Sequence, residues 1–422
     1  MKSNFSFEKR EVLVLAIFLV AAFMVRFMFF SDQGYAEVDT RDFMAWFQTA
    51  ANYGPRTFYS RTWCDYPPFN IYFFWVFGLL AKSLSLFGTS LFTYVMKLPP
   101  NLFDLATSVL IFSFVRKRLD FKMAILATAL YAFNPAVIFN AAVWGQFDAI
   151  YTFFLVLSLM LALAAKPELS AITFTLGVLT KPQSIALLPL IAYLIFKKKG
   201  TRRLLTSIVA GIVTIFTVII PFEWSNPISF LSNIYLGAYS GYEYTSINAF
   251  NMWALGGLWV YDGNLFIIGW ILFGALVVFT LCVLNKRFNV SGERLIIFSA
   301  LVLLFGFFML PTRIHERYLF PAMSILALLV PFLKKSRFLY AALTVTLFIN
   351  EAYVLSFLNS TDPFIKQGDL VVLTVSLINL LVFLYVLVLL WDEFKGRRYR
   401  ITATKRRNKQ EGKENDPQDR TN

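Results

Sequence analysis

The chain has 422 residues, 58% of them hydrophobic, a formal net charge of +14 and a mean hydropathy of +0.63. So much apolar surface excludes an ordinary soluble domain and points to a polytopic membrane protein. The positive charge needs no nucleic-acid partner, because basic residues gather in the cytosolic loops of such proteins. With only two cysteines, Cys64 and Cys282, a disulfide framework or thiolate metal site is not expected, and the single histidine, His315, excludes a His-rich metal site.

The expected fold is all-α: a transmembrane helical bundle. Apolar runs long enough to approach a span fall at 11–30, 91–115, 121–139, 148–165, 169–180, 183–196, 204–222, 264–284, 293–311, 318–333, 338–358 and 370–391, about twelve spans. The first run is read as a retained span rather than a cleaved signal, since it is long and lacks a small-residue cleavage site. A further apolar stretch, 67–87, is assigned to the surface or to a re-entrant dip. If it crossed, Arg116–Arg118 and every later basic cluster would fall outside, against the positive-inside rule. Both termini are then cytosolic: residues 1–10 form a short N-terminal segment, 11–394 the membrane domain, and 395–422 a basic tail expected to be disordered. The outer face carries a first loop (31–90, including the surface helix) and a long loop at 223–262.

The outer face also carries the unusual polar residues. In the first loop Glu37, Asp39, Arg41 and Asp42 lie within six positions, and the loop runs into DYPPFNIY at 65–72. Tyr66 precedes a proline and favours extended backbone, and Pro67 or Pro68 can open a helix, so Asp65 suits a helix cap as well as a ligand-binding role. Gln146 and Asp148 mark the outer end of a span, where Asp148 equally suits an N-cap. Lys181, followed by Pro182, interrupts an apolar run at the tip of a short helical hairpin; a lysine at span depth costs about 2.5–3.5 kcal/mol. At 313–317 lie Arg313, His315, Glu316 and Arg317. A helical start there would place the two arginines on one face, and two guanidiniums with an imidazole suit a phosphate or diphosphate. YSGYEYTSINAF at 239–250, with Glu243 and Asn248, suits sugar binding or an interfacial aromatic belt.

A reaction that uses carboxylates and a phosphate site on one side of a membrane is glycosyl transfer from a polyprenyl-phosphate sugar. A carboxylate takes the acceptor hydroxyl's proton, and cations stabilise the departing phosphate.

These residues resemble the GT-C integral-membrane glycosyltransferases. The likeness is nearest to the lipid-phosphate-glucose-dependent glucosyltransferases of the N-glycan pathway, in order and approximate spacing over about residues 10–335. It rests on Asp39 with Trp46 seven residues later, Asp65–Pro68, the WGQFD run at 144–148, the Lys181/Gln183 pair, and His315-Glu316-Arg317. Pro182 is inserted in the fourth, arginine replaces lysine in the last, and the histidine of the third is absent. The first loop also resembles the first mannosyltransferase of GPI-anchor synthesis, with Glu37-Val38-Asp39 in place of Asp-x-Asp. The resemblance implies an inverting transferase with Asp39 as base. His315 and Arg317, joined here by Arg313 and Lys181, are assigned to the donor phosphate. Glu37, Asp65, Tyr66, Gln146, Asp148, Glu243 and Asn248 are assigned to sugar or acceptor. No cofactor is required, although Glu37 and Asp39 could hold a divalent cation. The implied partners are a polyprenyl-phosphate-linked mannose or glucose donor, a lipid-linked or cell-surface glycan acceptor, and the bilayer.

The competing readings are a multi-span transporter or lipid-linked-glycan flippase, which predicts internal repeats and ionisable residues in several spans, and a non-enzymatic scaffold. No repeat is visible, and Asp104 within a span reads as a packing partner. The compact chain without an ER-retrieval tail favours a prokaryotic plasma membrane over the ER membrane.

Overall fold

In lipid, backbone N–H and C=O groups must be paired within the segment, so apolar runs become helices whatever their periodicity. The computed structural model describes residues 7–396. Residues 1–6 and 397–422, with most of the basic tail expected to be disordered, lie outside the described residues. Among the described residues the regular elements are all helical, with isolated β-bridges and no strand.

The described residues form fourteen α-helices in order. They are α1 (Lys9–Phe27), α2 (Arg41–Arg61), α3 (Pro68–Ser83), α4 (Phe92–Arg116), α5 (Phe121–Ala132), α6 (Pro135–Ile138) and α7 (Asp148–Leu163). Then come α8 (Pro167–Val178), α9 (Leu188–Ile219), α10 (Pro227–Ser240), α11 (Leu265–Met309), α12 (Phe320–Leu329), α13 (Ser336–Leu358) and α14 (Leu370–Lys395). Among the described residues five helical stretches are long and apolar enough to cross a membrane, six if the pair α5 and Pro135–Trp144, bent by 46°, counts as one. Three helices are broken inside: α2 at Gly54, α9 at Gly200 and the 45-residue α11 at Gly292, all in non-helical conformation. Unbroken, α11 would extend about 67 Å, more than twice the hydrocarbon core.

The first polar loop is more structured than its polarity suggests. Ala36–Thr40 is a π turn that leads directly into α2. Phe43, Trp46, Phe47, Ala50, Ala51 and Phe58 of α2 are buried at helical spacing. They pack with Phe74 of α3 and with Phe147 in an aromatic core of their own. Arg41 and Asp42 form a surface ion pair, 3.5 Å apart. The larger core joins α4, α5, α7, α11 and α12. Asp104 is a packing partner: fully buried on α4, it accepts from Tyr131 Oη of α5 (2.8 Å) and lies 3.7 Å from Arg26 Nε of α1.

Three local expectations are corrected. Asp65 does not cap α3; the cap position is Pro67, and Asp65 lies two residues earlier. Asp148 is the first residue of α7 rather than its cap, which is Phe147. Arg313 and Arg317 do not share a helical face, because Arg313 has φ +63° and helix resumes only at Phe320. A positive φ at a non-glycine residue turns the chain out of helical register.

Candidate active site

Two π turns pack against each other. One is Ala36–Thr40 and carries Asp39; the other is Phe139–Trp144 and ends at Gly145, φ +85°. π turns inside helical proteins recur at functional sites because the extra residue re-aims side chains. Gly34, φ +56°, lets the first segment touch the second turn: a Cβ at Gly34 would lie 2.2 Å from the Trp144 carbonyl oxygen. Lys97 of α4 ties the same two segments together. Its Nζ donates to the carbonyls of Phe29 (3.1 Å), Ala142 (2.6 Å) and Val143 (3.1 Å), and also to that of Asp32.

This packing brings Trp144 Nε1 to Asp39 Oδ2 at 2.8 Å and Gln146 Nε2 to the same oxygen at 2.7 Å. Two donors on one oxygen fix the carboxylate and leave Oδ1 free of hydrogen bonds among the described residues. Tyr66 Oη donates to Gln146 Oε1 at 3.4 Å. The ring of the same tyrosine lies 5.2 Å from Lys181 Nζ. Lys181 donates to Asp148 Oδ1 at 2.6 Å; lysine and aspartate are both buried. On the other side Arg317 lies over the Trp144 ring at 5.8 Å, bonds Glu316 through Nη1, and stands 3.7 Å from Asp148 Oδ2. Trp144 therefore touches both the carboxylate and the guanidinium, and Tyr66 links the carboxylate to the ammonium.

The electrostatics follow from burial. His315, edge-on to Tyr242 at 5.1 Å, is held well below its usual pKa by burial, then by Arg317 and Lys181, and so is neutral near pH 7. It can still donate one N–H. The Lys181 ammonium is pulled down by burial, against the pull of Asp148. Burial raises the Asp65 and Glu316 carboxyls, and Lys181 and Arg317 counter it for Asp65, Arg317 for Glu316.

Not every expected residue joins this cluster. Arg313 is committed elsewhere: its Nε donates to Asp262 Oδ2 at 2.8 Å, its Nη1 to the Tyr239 carbonyl at 3.2 Å, and its side chain stacks on Tyr239 and Phe266. Glu243, largely exposed, is 3.8 Å from Arg313. Asn248 accepts from Trp259 Nε1 at 2.8 Å and has φ +60°, a loop-shaping arrangement. Glu37 is exposed on the π turn of Asp39. Among the described residues no three His, Cys, Asp or Glu side chains gather as a metal site. Sequence reasoning missed Trp144 as a ligand of Asp39, Lys97 as the clamp, and Asn140 and Glu351, which join Asp148 from behind. Lys97 and Glu351 did carry a signal, as charged residues inside apolar runs.

Residues 65–224 match the family model described as dolichyl-phosphate-mannose-protein mannosyltransferase. The match supports a GT-C membrane glycosyltransferase. It covers less than half of the chain, including Asp65, Gln146, Asp148 and Lys181, and stops short of Asp39 and of His315–Arg317. The family is one of mannosyltransferases, so glucosyl transfer gains no support from it. No curated protein matches the chain.

Proposed function

We propose that this protein is an inverting hexosyltransferase that moves mannose or glucose from a polyprenyl-phosphate carrier to an acceptor hydroxyl on the outer face of the membrane. The observation that carries the reading is the indole of Trp144, which bonds a carboxylate on one edge and carries a guanidinium over its ring. Asp39 Oδ1 takes the proton from the acceptor hydroxyl while that oxygen forms the new bond to the anomeric carbon. The bond from that carbon to the phosphate oxygen breaks on the opposite side. Arg317 and Lys181 receive the charge left on the polyprenyl phosphate, and the neutral imidazole of His315 donates an N–H to it. Phosphate leaves readily, so a single displacement needs one base and one anion site. Asp65, Tyr66, Gln146 and Asp148 line the acceptor and sugar side and set the orientation of the three charged groups. Arg313, Glu243 and Asn248 shape the outer loop around them. No cofactor enters this scheme, and transfer is expected to survive chelation; inhibition by a chelator would move the reading toward a cation at Glu37 and Asp39.

The breaks at Gly200 and Gly292 support reading α9 and α11 as two crossings each, which raises the five or six long apolar stretches to seven or eight, and counting the shorter helices α1, α7, α8 and α12 as spans brings the total to about twelve, with both termini cytosolic. A prokaryotic plasma membrane fits this reading. Donor and acceptor follow from incubating purified protein in lipid nanodiscs with synthetic polyprenyl-phosphate mannose or glucose and candidate acceptors: lipid-linked glycan, cell-surface glycan and, as the matched family's description suggests, protein. Failure to consume either donor with a correctly folded protein would overturn the proposal.

A further inference from the structure

Behind the site, in the middle of α13, stands an acid that the scheme above does not use. Glu351 is fully buried in a stretch apolar enough to cross the membrane. We propose that Glu351 holds a proton and pairs as a carboxylic acid with the Asn140 amide, and so acts as the positioning residue for the Asp148–Lys181 pair.

Three contacts define the chain. Asn140 Nδ2 donates to Glu351 Oε1 at 2.9 Å and to Asp148 Oδ2 at 3.1 Å. Asp148 Oδ1 accepts from Lys181 Nζ at 2.6 Å. An amide nitrogen has two hydrogens, and both are used. Two buried atoms are left over: Asn140 Oδ1 and Glu351 Oε2 have no hydrogen-bond partner among the described residues. If Glu351 were ionised, both would be acceptors with nothing to accept. Glu351 would also be a second anion sharing one amide with Asp148, without an ion-pair partner among the described residues.

One proton removes the conflict. On Oε2 it converts the orphan acceptor into a donor, and the partnerless oxygen of the amide whose nitrogen already meets Oε1 is the acceptor it can take. Acid and amide then form a cyclic pair with two hydrogen bonds. The pairing also fixes which way the amide faces. Flipped, Asn140 would turn its oxygen toward the Asp148 carboxylate and lose both N–H contacts. Held as it is, it keeps Asp148 as an acceptor for Lys181, the cation assigned to the leaving phosphate. Glu351 touches neither donor nor acceptor; it acts through Asn140.

The activity readout of this inference rests on the transferase reading, whereas its spectroscopic readout does not. Infrared difference spectra of wild type against Glu351→Gln at neutral pH should show a carboxylic-acid C=O band that only the wild type has. Glutamine reproduces the pairing, with its amide N–H in place of the acid O–H, so Glu351→Gln should transfer sugar close to the wild-type rate. Glu351→Ala should lower kcat by about 10- to 100-fold, because a partner that orients a working group is lost. A wild type without the band, or a folded Glu351→Gln as impaired as Glu351→Ala, overturns the proposal. A band with no transfer by the wild type sinks the transferase reading and supports the acid–amide pair.

Discussion

Asp39→Asn separates chemistry from structure at this site. Trp144 Nε1 and Gln146 Nε2 both donate to Oδ2, at 2.8 and 2.7 Å. The substituted amide can satisfy them only by placing its oxygen there, which puts its NH2 at the position of Oδ1. The fold keeps its two hydrogen bonds, while the atom facing the acceptor changes from a proton acceptor to a donor. Removing a general base lowers a rate by about 10²–10⁴-fold, or roughly 3–6 kcal/mol at about 1.4 kcal/mol per decade. Single-turnover transfer from a radiolabelled polyprenyl-phosphate sugar, measured in nanodiscs under saturating acceptor, reads that loss directly. Thermal unfolding in detergent should change little. A folded Asp39→Asn protein that turns over near the wild-type rate would refute Asp39 as base. A large loss of stability would assign the carboxylate to structure instead.

Three further outcomes are expected. Lys181→Met leaves Asp148 buried without its closest cation and should cost roughly 3–5 kcal/mol of stability, measured by denaturant unfolding. Lys181→Met with Asp148→Asn should recover much of that stability but no transfer, and equal stability of the single and double variants would argue against the pair. Gly34→Ala puts a methyl group 2.2 Å from the Trp144 carbonyl at φ +56°. The left-handed backbone alone costs about 1–2 kcal/mol, so folded yield and transfer should fall together, and a neutral substitution would show that the two segments do not meet. For His315 the folded pKa lies well below the ordinary 6.5 through burial, Arg317 and Lys181. The unfolded chain therefore binds more protons below that pH, and wild-type stability should fall as pH drops through about 6.5, by at most about 1.4 kcal/mol per pH unit. His315→Gln should remove that slope; an unchanged slope would mean the imidazole is not held neutral.

Much of this was legible from residue type and order, because lipid imposes simple rules. Long apolar runs became helices, and the misplaced polar residues Asp39, Gln146, Asp148, Lys181 and Arg317 proved to be neighbours. Single-chain patterns failed where a contact partner decides the outcome. The 41–61 segment looked like a polar loop because only one face of α2 is apolar, and that face is buried against α3 and Phe147. Arg313 resembled Arg317 in type and spacing, yet Asp262, 51 residues away in the chain, claims it.

The sequence by itself determined the membrane-bound helical class and the residue types from which a base and an anion site can be made, since both follow from the cost of burying polar groups in lipid. Only the tertiary structure decided that Trp144 and Gln146 hold one oxygen of Asp39, that Lys97 ties the segment at Phe29 and Asp32 to the second π turn, and that Glu351 stands behind Asp148 through Asn140. Each of these contacts joins residues from separate segments, and no local periodicity encodes which of many buried polar groups will meet.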